Sequence, residues 1–202
     1  MSRKNPPTNT SSYHPITYLS DGAPYSAHFD DIYFDTAQGT KQSQVVFIEG
    51  NELEKQWNSF DKEVFTIAET GFGTGLNFLL TIKAFENWLK NKPANKQTPK
   101  LHFVSTEKYP LTKEELTKSL DIIPELAQYS DQLISRYPET IEEIITLSFL
   151  EGQIELTVYI DDATLAFEKL GNKRKPMVNA WFLDGFSPSK NPDMWQPKLY
   201  SA

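Results

Sequence analysis

The chain has no cysteine among its 202 residues. That excludes a disulfide scaffold, a thiolate metal site and a cysteine nucleophile. Histidine is scarce as well. His14, His28 and His102 are scattered, a poor basis for a metal centre, so no metal is expected. No apolar run approaches the roughly 18 residues of a membrane span, so no membrane partner is expected. Residues 1–12 are polar and carry Pro6 and Pro7. They lack the apolar stretch of a signal peptide, which makes the cytoplasm the expected location. Basic charge is in deficit, with 20 Lys plus Arg against 27 Asp plus Glu and a formal net charge of −7. A general nucleic-acid binder needs the opposite balance. Only local clusters remain as phosphate contacts: Lys90, Lys92, Lys96 and Lys100, and Lys169, Lys173, Arg174 and Lys175. Solvated loops are the competing reading of both.

What is present is enough to fold. Hydrophobic residues make up 39% and aromatics 13% of the chain, so large apolar groups are available to bury. Residues 1–24 read as an extended arm. Residues 29–34 and 45–48 read as two short strands, with Gly39 in the turn of a hairpin between them. Residues 52–60 suit a short helix. Val64 to Ala68 is a compact, β-branched run, as a buried strand requires. Residues 76–90 repeat apolar positions at helical spacing, and residues 101–105 form a second strand. Together they predict a strand–helix–strand unit with a parallel crossover. Helices are expected at 111–120, 124–136 and 163–170, with Gly171 ending the last. Strands are expected at 144–150 and 153–160 around a turn at Glu151-Gly152, and at 178–183.

Glycine is sparse, nine in all, yet Gly71, Gly73 and Gly75 alternate within five residues. They follow a strand that ends in Glu69 and precede a helix. Glycines permit close backbone approach, and a helix start offers unpaired N–H groups to an anion. The third glycine falls one residue too early for a dinucleotide fingerprint, and the Gly-Lys-Ser/Thr of a P-loop is absent. A tight turn without a ligand is the bland alternative. Three further acids stand at predicted strand ends. Glu107 could accept hydrogen bonds from a ribose diol. Asp162, beside Asp161, could meet an adenine amino group. Asp184 could accept a proton or hydrogen bond from an amine, with Phe186 stacking on a flat base. Each alone has a strand-end or surface-turn reading. Jointly they predict one crevice at the carboxyl ends of parallel strands, the usual ligand position in open α/β sheets. The set suits S-adenosylmethionine: the glycine loop for its carboxylate, Glu69 for its ammonium, Glu107 for its ribose and Asp162 for its adenine. Ser187 lacks the G-x-S-x-G elbow, which disfavours a hydrolase triad.

Two strings are more specific. Glu-Thr-Gly-Phe-Gly-Thr-Gly-Leu-Asn-Phe at 69–78 and Trp-Phe-Leu-Asp-Gly-Phe-Ser-Pro-Ser-Lys-Asn-Pro-Asp-Met-Trp at 181–195 resemble the MnmC methyltransferase domain. Residues 29–34 and 46–51 resemble the segment ahead of the glycine loop in that family. The likeness spans about residue 20 to the end. It implies an α/β, Rossmann-like class I S-adenosylmethionine-dependent methyltransferase sheet with an N-terminal β-hairpin extension. Residues 1–60 would form the arm and hairpin, and residues 61–202 the methyltransferase core. A sheet of this class normally has seven strands, so the core is expected to be incomplete after its fourth strand. The implied cofactor-binding residues are Asn51, Glu69, Gly71, Phe72, Gly73, Gly75, Asn77, Glu107 and Asp162, with Asp184 and Phe186 at the acceptor. The implied reaction is methylation of the amine of 5-aminomethyl-2-thiouridine at the tRNA wobble position, giving 5-methylaminomethyl-2-thiouridine. The implied partners are tRNA and an FAD-dependent oxidoreductase domain, fused or separate, whose motifs are not among these residues. A truncated, non-catalytic cofactor-binding module and an N-methyltransferase for another amine are the alternatives.

Overall fold

The structure, a computed structural model, describes residues 14–173 and 178–199. The start of the expected arm, and Arg174 and Lys175 of one basic cluster, lie outside the described residues. Three short antiparallel strands come first: β1 Ile16–Tyr18, β2 Pro24–Ser26 and β3 Asp31–Ile32. Helices α1 Gly39–Ser43 and α2 Leu53–Ser59 follow. Then come β4 Val64–Glu69, α3 Leu76–Asn91, β5 Lys100–Thr106, α4 Lys113–Leu120 and α5 Ala127–Arg136. The chain continues through β6 Ile144–Phe149, β7 Ile154–Tyr159, α6 Ala163–Lys173 and β8 Ala180–Phe182.

Among the described residues the main sheet has five strands in the order β6-β7-β5-β4-β8. β7, β5, β4 and β8 run parallel, and β6 pairs antiparallel with β7. The fold is therefore the α/β methyltransferase-type sheet that the motifs imply, with a hairpin strand on one edge. β4 lies between two neighbours and is buried from its second residue onward, which is why its sequence does not alternate between apolar and exposed polar residues. Strand–helix–strand pairing of β4, α3 and β5 is as expected, with Val64 opposite Lys100 and Glu69 opposite Ser105. The loop between them is anchored at both ends. Lys100 N–H donates to the Glu63 carbonyl, and Lys96 Nζ to the Phe60 carbonyl at 2.6 Å.

Two expectations are overturned. Residues 45–48 are not a strand. α1 continues through a wider helical turn over 44–49, in which Gly50 N–H reaches the Val45 carbonyl five residues back at 2.9 Å. Val45 and Val46 are both exposed and Ile48 is buried, so the run does not alternate. The helical cost of β-branched residues is only a few tenths of a kcal/mol each, and packing of Ile48 overrides it. Of the strand expected at 29–34, only Asp31–Ile32 pairs, and its partner is β2. The extension is thus a three-stranded meander. It docks on α4, where Glu115 Oε1 accepts from Ile16 N–H and the Tyr18 hydroxyl donates to the Glu115 carbonyl. α6 also runs past Gly171, to Lys173.

One buried cluster joins the layers. Leu53 and Trp57 of α2 pack with Phe85 and Trp88 of α3, and Phe78 of α3 reaches the sheet. Phe78 is fully buried, edge-on to Phe103 of β5 at 5.2 Å and to Phe149 of β6 at 5.1 Å. Its truncation opens a cavity between helix and sheet. Phe78→Ala is expected to cost about 3–5 kcal/mol, read as a lower midpoint in urea unfolding.

Candidate active site

The carboxyl ends of β4, β5, β7 and β8 open into a cleft of about 230 Å³. Its back wall is the glycine loop. Here Gly73 has φ of +51° and Gly75 of +76°, a region that only glycine enters without strain. A Cβ at Gly73 would lie 3.2 Å from the Tyr33 ring, and one at Gly75 would lie 2.9 Å from the Phe72 ring. The loop is stitched to its neighbours by backbone bonds: Thr70 N–H to the Phe182 carbonyl and Phe72 N–H to the Thr106 carbonyl. Thr70 adds a reciprocal pair. Its hydroxyl donates to the Asp184 carbonyl at 2.6 Å and accepts from Asp184 N–H at 3.0 Å. Because β8 lies beside β4, this pair fixes the segment after β8 to the start of the glycine loop.

Gly71, Phe72, Gly73, Asn77, Glu107, Asp162, Asp184 and Phe186 all line the cleft. Three sequence-derived candidates do not. Gly75 shapes the loop from behind. Glu69 lies beneath the wall with only 1% of its surface exposed. Asn51 is directed elsewhere: its amide donates to the Phe47 carbonyl at 3.0 Å, one helical step back, and lies 3.5 Å from the Trp181 carbonyl. Other cleft residues escaped the sequence reading. Thr70 and Lys108 adjoin recognised acids, and Tyr33, Asn191 and Met194 lie within strings already singled out, so all five could have been found that way. His28 and Tyr109 carried no such signal.

The site is electrostatically unusual. Glu69 accepts from Ser105 Oγ at 2.6 Å and from Asn77 Nδ2 at 3.0 Å. Asp184 accepts from the same Asn77 Nδ2 at 2.6 Å and from Gly185 N–H at 2.8 Å. Glu107 accepts from Gly73 N–H and from Tyr109 N–H, each at 2.8 Å. All these donors are neutral. Burial pushes each of the three carboxyls above its ordinary range, Glu69 well above it, and the hydrogen bonds only partly oppose this. Lys108 stands at the rim but pairs with Asp162 at 3.3 Å, and Lys169 pairs with Asp161. No group of three metal-binding side chains occurs among the described residues, and no helix there is long and apolar enough to cross a membrane.

An aromatic wall closes the Asp184 end of the cleft. Phe29 stacks on Phe186 with centroids 4.6 Å apart, and Tyr33 meets Phe186 edge-on at 5.1 Å. The turn after β2 is tied to the segment after β8 by Asp30–Lys190 and by Ser187 N–H to Asp31 at 3.2 Å.

The chain is similar to known proteins. A family model described as S-adenosyl-L-methionine-dependent methyltransferase matches residues 124–202. The chain is 44% identical over 185 residues to the tRNA 5-methylaminomethyl-2-thiouridine biosynthesis bifunctional protein MnmC of Marinomonas sp.. It is 43% identical over 191 residues to the protein of that name from Pseudoalteromonas translucida. It is a relative of the methyltransferase part of MnmC. The alignments take in 92% and 93% of this chain, which spans 26% and 29% of those MnmC proteins. The crystal structure of MNMC2 from Aquifex aeolicus superposes with a TM-score of 0.61 at 18% identity, over 94% of this chain and 55% of that one. At that identity the MNMC2 likeness speaks for the fold alone.

The raised Glu69 carboxyl has a measurable consequence. The folded chain keeps a proton there that the unfolded chain has lost. The contribution to stability is therefore greatest at acid pH. It declines as pH rises from the unfolded value through the folded one. Glu69→Gln is expected to flatten this decline, so its stability relative to the parent rises between mildly acid and neutral pH. Urea midpoints across that range test it. Parallel curves would contradict it.

Proposed function

We propose that the chain transfers a methyl group from S-adenosylmethionine to the amine of 5-aminomethyl-2-thiouridine at the wobble position of tRNA. One observation carries the reading. The glycine loop and Asp184 are held against each other by Thr70 and Asn77 in one cleft, in a chain more than 40% identical to MnmC proteins. The residues present fit the cofactor. Asn77 Oδ1 is buried without a partner, beside two carboxylates, which suits a cationic N–H donor. Glycines at 71 and 73 leave room along the wall. The Glu107 carboxylate is already fixed by two backbone N–H groups and keeps further lone pairs for a diol. In this assignment Asn77 and the glycine loop hold the amino-acid part, Glu107 the ribose and Asp162 the adenine end. S-adenosylmethionine, when bound, supplies a methyl group on an electrophilic sulfonium.

The protein's own residues do the rest. The wobble base leaves the stack and enters the cleft at the aromatic wall of Phe29, Tyr33 and Phe186. Its amine attacks only when neutral. The ionised Asp184 carboxylate, made a stronger base by burial, accepts the ammonium proton and orients the nitrogen lone pair. Alignment of donor carbon and nitrogen supplies most of the rate. Relatives named as bifunctional, of whose length this chain spans 26% and 29%, support a second activity in the whole protein. We assign to it the flavin-dependent step that exposes the amine.

Methylation of hypomodified tRNA, with free alkylamines as comparison, is the direct test. Product on tRNA and none on free amines is the expected result. Absence of product on tRNA would overturn the reading, and product on free amines would reassign the acceptor. Asp184→Ala is expected to lower turnover by about 10²–10⁴-fold while calorimetric affinity for S-adenosylmethionine changes little. Gly73→Val combines a strained φ with a side chain driven at Tyr33. It should abolish cofactor binding in the same calorimeter.

A further inference from the structure

Glu69, the acid that the glycine motif places nearest the cofactor, does not line the cleft. What stands between is Asn77, in the first turn of α3. Its Nδ2 carries two N–H groups, and each goes to a different carboxylate: Glu69 Oε1 at 3.0 Å and Asp184 Oδ2 at 2.6 Å. Its Oδ1 is the one buried acceptor of the trio with no partner. The residue is 5% exposed and lines the cleft. Its backbone is held too, because Thr81 Oγ1 donates to the Asn77 carbonyl at 2.7 Å. An amide that donates to two carboxyl oxygens is polarised, and its oxygen becomes a stronger acceptor.

We propose that Asn77 is the positioning residue of this site, one amide that aims the Asp184 carboxylate at the acceptor and ties it to the buried Glu69 carboxyl. This rests on the methyl-transfer reading above. It goes beyond a cofactor contact because it couples the two halves of the reaction. If Asn77 is lost, the Asp184 carboxylate keeps Gly185 N–H as its donor and loses the bond that aims Oδ2. The titratable groups around Asp184 are Glu69 from β4 and Glu107 from the end of β5. Asp31, Tyr33, Lys108 and Asp193 line the same cleft. A substitution at 77 keeps all of these groups and removes the amide shared by Glu69 and Asp184.

The deciding measurement does not need turnover. Carboxyl carbon-13 NMR titration of the ligand-free chain reads Glu69 and Asp184 directly. In Asn77→Ala both are expected to titrate higher, Asp184 by about one pH unit, a tenfold gain in proton affinity. Asn77→Ser retains one donor and should fall between; it also carries the test if the alanine variant does not fold. In steady-state assays kcat should drop at least about tenfold in Asn77→Ala, with its acidic limb moved to higher pH and KM for tRNA within about twofold. A purely structural role would lower the melting temperature and leave both titrations in place. Unmoved titrations, or an unmoved kcat, would overturn the proposal. If the parent chain methylates no tRNA, the functional reading fails, while the titrations still decide whether Asn77 couples the two acids.

Discussion

Taking a carboxylate out of water is costly unless another charge or a set of donors compensates it. This chain does so with Glu69, Asp184 and Glu107 at adjoining strand ends, using neutral donors alone. Much of the local structure follows from that constraint. Ser105 and Asn77 serve Glu69, two backbone N–H groups serve Glu107, and Asn77 with Gly185 serves Asp184. Burial still holds all three protons more tightly than usual. A cleft built in this way is stabilised by an incoming cation. It is also poised to accept a proton from an ammonium, as methyl transfer to an amine requires.

The sheet order creates this closeness. Asn77 and Asp184 are 107 residues apart, yet they share a 2.6 Å hydrogen bond because β8 pairs directly with β4. β5 on the other side brings Glu107 to the glycine loop, and β7 brings Asp162 to the far rim. The crossovers place the helices over the sheet and leave the strand ends free for ligand. The aromatic packing of Phe78, Phe85 and Trp57 holds α3, and with it the first turn that carries Asn77, at a defined height above the sheet.

The N-terminal meander turns an open crevice into an enclosed one. Its anchor on α4 and its ties to Ser187 and Lys190 bring Phe29 and Tyr33 over the glycine loop and against Phe186. One face of Phe186 is therefore covered by Phe29. The acceptor wall is a composite of two chain segments, which neither segment reveals alone.

The local pattern of the chain already determined much of this. A compact β-branched run marked β4, because a central parallel strand is buried on both faces, and acids at the strand ends marked the carboxyl ends of β4, β5, β7 and β8. Alternating glycines marked the loop, because a positive φ with a ring packed close leaves no other residue. Tertiary contact decided the rest. Residues 45–48 have strand-like composition but fold as a helical turn, since Ile48 finds its burial in the core beside α3. Asn51 shares a motif with the site residues yet bonds within its own turn. Glu69 was legible as an acid beside the glycines, but not as one sealed beneath them. Sequence spacing records which groups share a strand end; which of them meets solvent, and through whose amide, depends on side chains from distant segments competing for the same hydrogen bonds.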